Sequence, residues 1–142
     1  MRAGTENVAS IVGMAVALKK NIAIINDTTT YLGLLESKLL RSLSEANIQF
    51  FRNGSENHIP GNISLSFPGY DGEVILHRLD LMGICVSTGS ACDSKETRVS
   101  HVLQAIGLNN DFAKGTIRLS LGKSNTKKDV DIIVEALKRI LK

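Results

Sequence analysis

A run of small residues contains a cysteine in a setting that favours reaction. Residues 86–94 read Val-Ser-Thr-Gly-Ser-Ala-Cys-Asp-Ser, so the side chains around Cys92 do not crowd its thiol. A nucleophilic thiol needs access and must be able to form the thiolate. Lys95 and Arg98 favour the thiolate, whereas Asp93 opposes it. The segment predicts a reactive cysteine on a loop, although a chance cysteine in a flexible loop would have the same neighbours.

The second cysteine, Cys85, has a different setting. It stands between Ile84 and Val86, and free cysteine packs as a small hydrophobe, so we expect a buried structural thiol. Cys85 and Cys92 share no metal-like spacing with a third ligand. The histidines also lack ligand spacing, so no metal site is predicted and structural or surface positions are expected for His58, His77 and His101.

Two further positions can bind anionic groups. Arg118 lies in the middle of an expected strand, on the face opposite Ile117 and Leu119. Its guanidinium can fork onto a carboxylate, or the residue is simply a solvated or salt-bridged arginine. Thr5 lies in residues 2–7, just before the first expected helix. Backbone N–H groups and a hydroxyl at a helix N-terminus can hold a phosphate, although an ordinary N-cap at Thr5 is the alternative.

The elements that position these residues are predicted from apolar spacing. Helical periodicity indicates helices at about 6–20, 29–46, 71–82, 100–106 and from 126 onward. Short apolar or alternating runs indicate strands at 48–52, 62–67, 84–86 and 116–121. The fold class is therefore α/β of an α+β-like kind, with a small mixed or antiparallel sheet of about four strands covered by helices on one face.

Several residues are predicted to define the ends and faces of the helices. The polar cluster 26–30 offers N-caps for the second helix, and Asp71 is expected to cap the third. Met82 is expected to point inward from that third helix. Thr126, followed three residues later by Asp129, resembles a capping box at the start of the last helix.

The bulk properties indicate one soluble globular domain. The chain has 142 residues, of which 43% are hydrophobic and 22% charged, with a formal net charge of +3. No apolar run approaches the roughly 18–20 residues of a membrane span, and no signal peptide is expected. Basic residues are spread without interleaved aromatics, so nucleic-acid binding is not predicted. A cytoplasmic protein with reduced thiols is expected.

The segments that contain Thr5, Cys92 and Arg118, in this order, resemble the C-terminal part of cysteine desulfurases. These enzymes belong to the class V aminotransferase family of fold-type I pyridoxal-phosphate enzymes. The resemblance covers nearly the whole chain and is carried by segments 2–7, 87–92, 100–103, 106–108 and 117–122. It implies the small C-terminal domain of those enzymes, with 1–142 as a single domain. Helices in 6–46 would form a spine between domains, and 47–142 would form the sheet-and-helix part.

The resemblance also implies roles for the candidate residues. Cys92 would attack the sulfur of L-cysteine bound to pyridoxal 5'-phosphate, which leaves alanine and a persulfide on Cys92. Arg118 would bind the substrate carboxylate, and Thr5 would contact the cofactor phosphate across a homodimer interface. The distance along the chain from Cys92 to His101 is typical of the long-loop group, which passes sulfur to scaffold and acceptor proteins. The acceptor pathway, such as iron–sulfur cluster assembly or tRNA thiolation, stays open.

One departure from the family is large. The His-Lys segment with the Schiff-base lysine is missing from this sequence, as are the other groups that hold the cofactor ring. We therefore expect this chain to be one part of the enzyme, inactive alone and without covalently bound cofactor. A related class V aminotransferase or selenocysteine lyase is one alternative, although a transaminase needs no thiol at Cys92. A non-catalytic, truncated interaction module is the other.

Overall fold

A computed structural model gives the fold and describes residues 4–88 and 100–141. Within these ranges the chain forms helices and strands in a mixed α and β order, which confirms the predicted fold class. The helices are α1 (Val8–Ala23), α2 (Ile25–Glu45), α3 (Gly72–Asp80), α4 (His101–Ala105), α5 (Asn110–Lys114) and α6 (Lys127–Leu141). The strands are β1 (Phe51–Arg52), β2 (Asn62–Ser66) and β3 (Thr116–Ser120).

The strands form one antiparallel sheet in the order β1-β2-β3. Leu65 pairs with Ile117, and Ser64 pairs with Arg118. Because successive side chains alternate between the faces of a sheet, this register gathers the apolar residues on one side. The buried face carries Ile63, Leu65, Ile117 and Leu119, while Arg118 and Ser120 are exposed.

Helices α2 and α6 cover the buried face. Leu35, Leu39 and Leu43 of α2 are fully buried, because residues four apart share one side of a helix. The apolar stripe of α6 is buried in the same core, through Val130, Ile133, Val134, Leu137 and Ile140. The amphipathic spacing predicted for these two helices is therefore confirmed.

Two predicted helix caps are present. The Asp71 carboxylate accepts a hydrogen bond from the Glu73 N–H at 2.9 Å. At the start of α6, the Thr126 hydroxyl accepts from the Asp129 N–H at 3.3 Å, and the Asp129 carboxylate accepts from the Thr126 N–H at 2.7 Å. This reciprocal pair is the predicted capping box.

Helix α1 differs from the other long helices, since none of its residues is buried. Its apolar side chains are open to solvent, including Val8, Ile11 and Leu18 at 64%, 51% and 59% exposure. The N-cap is Asn7, whose side chain accepts from the Ser10 N–H at 3.1 Å. The apolar stripe of α1 therefore lies against nothing among the described residues.

The predicted strand at 84–86 is wrong. The Ile84 N–H bonds to the Leu79 carbonyl at 2.9 Å, which closes the end of α3 after Gly83 turns the chain with φ of 77°. In the described part of this segment only Ser87 joins the sheet, through an isolated bridge to Arg118. Met82, predicted inward, is 45% exposed because the helix has already ended at Asp80.

Two other boundaries differ from the prediction, and one helix was not predicted. Strand β1 is shorter, because the Ile48 N–H bonds to the Leu43 carbonyl and closes α2 after Asn47 at φ of 54°. Helix α2 begins at Ile25, so the polar cluster 26–30 lies inside its first turns instead of capping it. Helix α5 was not predicted; the Asn109 side chain caps it by accepting from the Asp111 N–H.

No single helix in 4–88 or 100–141 is long and apolar enough to cross a membrane. The pair α1 and α2, bent by 65° at its junction, meets the requirement only when the two helices are counted together.

Candidate active site

Arg118 lies on the open face of the sheet, in the middle of β3. Its neighbours in sequence, Ile117 and Leu119, point into the core, so the strand is anchored by apolar packing while the guanidinium faces outward. The Arg118 side chain forms no hydrogen bond or ion pair with another residue of the described ranges. An anchored strand whose outward guanidinium bonds to no described side chain suits the binding of a carboxylate.

The segment that leads to Cys92 lies beside this arginine. The Ser87 N–H donates to the Arg118 carbonyl at 3.0 Å, and the Arg118 N–H donates to the Ser87 carbonyl at 2.6 Å. Cys92 follows Ser87 by five residues and lies outside the described residues, as do Asp93, Lys95 and Arg98. The position of Cys92 relative to Arg118 therefore stays a prediction.

A chain of side-chain hydrogen bonds begins at the half-buried Ser64 beside Arg118 and continues to Ser66 and Thr116, which are buried. Asn53 Nδ2 donates to Ser64 Oγ at 3.1 Å and to Ser66 Oγ at 2.8 Å. Ser66 Oγ lies 2.6 Å from Thr116 Oγ1, which donates to the Phe112 carbonyl at 3.1 Å. This network was not predicted from the sequence, where the polar residues of the alternation in 62–67 are its signal.

Thr5 is exposed and lies two residues before the N-cap Asn7. The alternative of an ordinary N-cap at Thr5 is therefore wrong. The Thr5 hydroxyl bonds to no other described residue, and the first turn of α1 carries no acidic side chain. A free hydroxyl at the N-terminus of a helix fits a phosphate group, because the helix end presents N–H donors and partial positive charge.

The prediction of a buried Cys85 is wrong, since this residue is exposed. Ile84 and Val86 contact the core cluster, and alternation along the extended chain turns the side chain between them outward. Cys85 lines an open cleft of about 540 Å³ between the end of α3 and the N-terminal part of α6. Cys85 is thus an accessible thiol in the part of the chain that the structure describes.

The histidine nearest to buried charge is His58. Its Nε2 lies 2.8 Å from Oε1 of Glu36, a carboxylate on α2 that also accepts from Arg52 Nε at 3.3 Å and from the Gly61 N–H at 3.0 Å. These contacts tie α2 to β1 and to the turn before β2, which agrees with a structural position for His58. His77 and His101 are exposed, and no group of three His, Cys, Asp or Glu in the described ranges is arranged to hold a metal ion.

Comparison with known proteins identifies the class. The profile of the family Aminotransferase class-V matches residues 1–133. The chain therefore belongs to the class V aminotransferase family.

Within this family, the chain is similar to several individual proteins. The chain is 40% identical to a cysteine desulfurase IscS of Clostridium botulinum and 41% identical to one of Dictyoglomus turgidum, over 99% of its own length in both cases. It spans 36% of the length of each of these relatives. A solved NifS-like protein superposes with a TM-score of 0.83 at 33% identity, over 99% of this chain and 35% of that one.

Proposed function

We propose that this chain is the part of a pyridoxal-phosphate-dependent cysteine desulfurase that carries the sulfur-accepting thiol and the site for the substrate carboxylate. The observation that carries the proposal is the pairing of Ser87 with Arg118. It joins the strand bearing the carboxylate-binding side chain to the segment that leads to Cys92. The similarity to cysteine desulfurases over 99% of the chain supports the same assignment.

In this proposal Cys92 is the nucleophile. Pyridoxal phosphate, when bound, supplies the electron sink that weakens the bond between Cβ and sulfur in L-cysteine. The Cys92 thiolate forms a bond to the substrate sulfur while the Cβ–S bond breaks. The bonding electron pair stays with the substrate carbon, which takes up a proton and leaves as alanine. Cys92 then carries a persulfide, and sulfur-acceptor or scaffold proteins take up its outer sulfur atom, which regenerates the Cys92 thiol.

Arg118 and Thr5 have binding roles in the proposal. The Arg118 guanidinium holds the carboxylate of L-cysteine through two parallel charged hydrogen bonds. The Thr5 hydroxyl and the N-terminus of α1 contact the cofactor phosphate. The exposed apolar surface of α1 agrees with a spine that packs on the remaining part of the enzyme. We also propose a cytoplasmic protein, in which both cysteines stay reduced.

The test uses an enzyme in which the remaining part of the Clostridium botulinum relative completes this chain. With L-cysteine and pyridoxal phosphate, the completed enzyme should form alanine and a trappable persulfide at Cys92. The Cys92→Ser variant should form neither, because a hydroxyl at this position accepts no sulfur. Peptide mass spectrometry after alkylation locates the persulfide. Cys85→Ser is the matched control and should keep activity, although the Cys85 thiol is exposed.

The outcomes separate the proposed function from its alternatives. A persulfide found on Cys85, or alanine production that survives Cys92→Ser, would contradict the role of Cys92. Binding of acceptor proteins without any alanine formation would favour the interaction module. We also expect the Schiff-base lysine to lie outside this chain. Borohydride reduction with pyridoxal phosphate should therefore label a lysine of the completed enzyme outside residues 1–142.

A further inference from the structure

Ser64 is the closest cross-strand neighbour of Arg118 on the open face of the sheet. The Arg118 N–H and carbonyl both bond to Ser87, and the Ser64 carbonyl accepts from the Asn53 N–H on its other side. Ser64 and Arg118 therefore form a non-hydrogen-bonded antiparallel pair, the arrangement in which Cα atoms lie about 4.5 Å apart and side chains are closest. The Ser64 hydroxyl is thus next to the stem of the Arg118 side chain.

The direction of the neighbouring hydrogen bonds can be deduced from one carbonyl. The Phe112 carbonyl can only accept, so Thr116 must donate to it. Thr116 then accepts from Ser66, because its single proton is used. Ser66 in turn accepts from the Asn53 amide, whose NH₂ group must therefore face the two serines. The second N–H of this amide donates to Ser64.

This polarity leaves the proton of the Ser64 hydroxyl without an acceptor in the described ranges. Ser64 is only half-buried, so its hydroxyl can donate to a ligand on the open side of the sheet beside Arg118. The other serine beside Arg118 differs, because Ser87 Oγ donates to the Thr88 carbonyl at 3.1 Å. Of the two serines beside Arg118, Ser64 is the one whose hydroxyl proton has no acceptor among the described residues.

We propose that Ser64 is a second binding residue for the substrate carboxylate. Its hydroxyl donates to a carboxylate oxygen held by Arg118, while the Asn53 amide orients the hydroxyl by donating to it. A carboxylate has about four acceptor sites, of which a forked guanidinium uses two, so one more donor can be added. The inference rests on the proposed function, because it takes the ligand of Arg118 to be the carboxylate of an amino acid.

The test measures binding of the product, L-alanine, to the enzyme completed with the remaining part of the Clostridium botulinum relative. Ser64→Val should weaken L-alanine binding by about 10- to 100-fold, since a hydrogen bond to a charged group contributes about 1.5–3 kcal/mol and 1.4 kcal/mol is tenfold in Kd. Ser64→Thr should bind normally, because threonine matches valine in shape and retains the hydroxyl. L-alaninamide, which lacks the carboxylate, should bind all three proteins with the same affinity.

The control variant is Ser120→Ala, on the open face of the same strand as Arg118. It should bind L-alanine as the parent does. If Arg118→Ala weakens L-alanine binding but Ser64→Val does not, the Ser64 proposal is overturned and the proposed function stands. If neither variant affects binding, the carboxylate site itself is wrong. The role of the hydroxyl would also be overturned if Ser64→Val and Ser64→Thr weakened L-alanine binding equally. The same holds if Ser64→Val weakened the binding of L-alanine and L-alaninamide equally.

Discussion

Helices α1 and α6 have nearly the same length and both carry an apolar stripe, yet they bury very different surfaces. α1 has 16 residues and buries none, whereas α6 has 15 residues and buries Val130, Leu137 and other apolar side chains against α2 and the sheet. The difference is that α6 packs on a complementary face, whereas α1 meets none among the residues that the structure describes. Helical spacing of apolar residues therefore predicts the helix, but burial requires a partner surface.

The largest effect is expected from shortening a core side chain. Leu39→Ala on α2 removes a fully buried side chain and should lower the free energy of unfolding by about 2–5 kcal/mol. Leu34→Ala on the same helix and Leu18→Ala on α1 should stay within about 0.5 kcal/mol of the parent, because these leucines are 60% and 59% exposed. Urea denaturation of the chain measures all three. A loss from Leu18→Ala as large as that from Leu39→Ala would mean that α1 is buried in solution.

A smaller effect is expected from neutralising the buried carboxylate of Glu36. Glu36→Gln removes the negative charge that Arg52 and His58 contact, and should cost about 1–3 kcal/mol of unfolding free energy. Glu45→Gln on the same helix is the control. Its contact with Arg41 at 3.7 Å is exposed, so its loss should cost no more than about 0.5 kcal/mol. Equal effects of the two variants would contradict a structural role for Glu36.

The smallest effect is expected from removing the N-terminal caps of α6 and α1. Thr126→Ala breaks the capping box of α6 and should lower the global unfolding free energy by about 1 kcal/mol. Asn7→Ala removes the cap of α1 and should reduce helix content in circular dichroism, but leave the denaturation midpoint unchanged. The reason is that α1 adds nothing to the described core. A shift of the midpoint by Asn7→Ala would show that the two helices unfold together.

Periodicity and local chemistry determined much of the fold. Residues within four positions of one another were enough to predict three kinds of feature. These are the apolar stripes of α2 and α6, the alternation in β2 and β3, and the caps at Asp71 and Thr126. Arg118 could likewise be assigned to the outward face of its strand, because alternation follows from the geometry of any extended chain. These features depend on short-range order, which the sequence contains directly.

Tertiary structure decided what short-range patterns leave open. Ile84 and Cys85 have the composition of a strand, but the turn at Gly83 uses the Ile84 N–H to close α3 and leaves the Cys85 thiol exposed. The neighbours of Arg118 depend on strand register, since Ser64 and Ser87 lie 54 and 31 residues away along the sequence. An apolar stripe does not predict which surface the helix packs against, and alternation in a strand does not predict its register with a neighbouring strand. Both are set by contacts between distant residues.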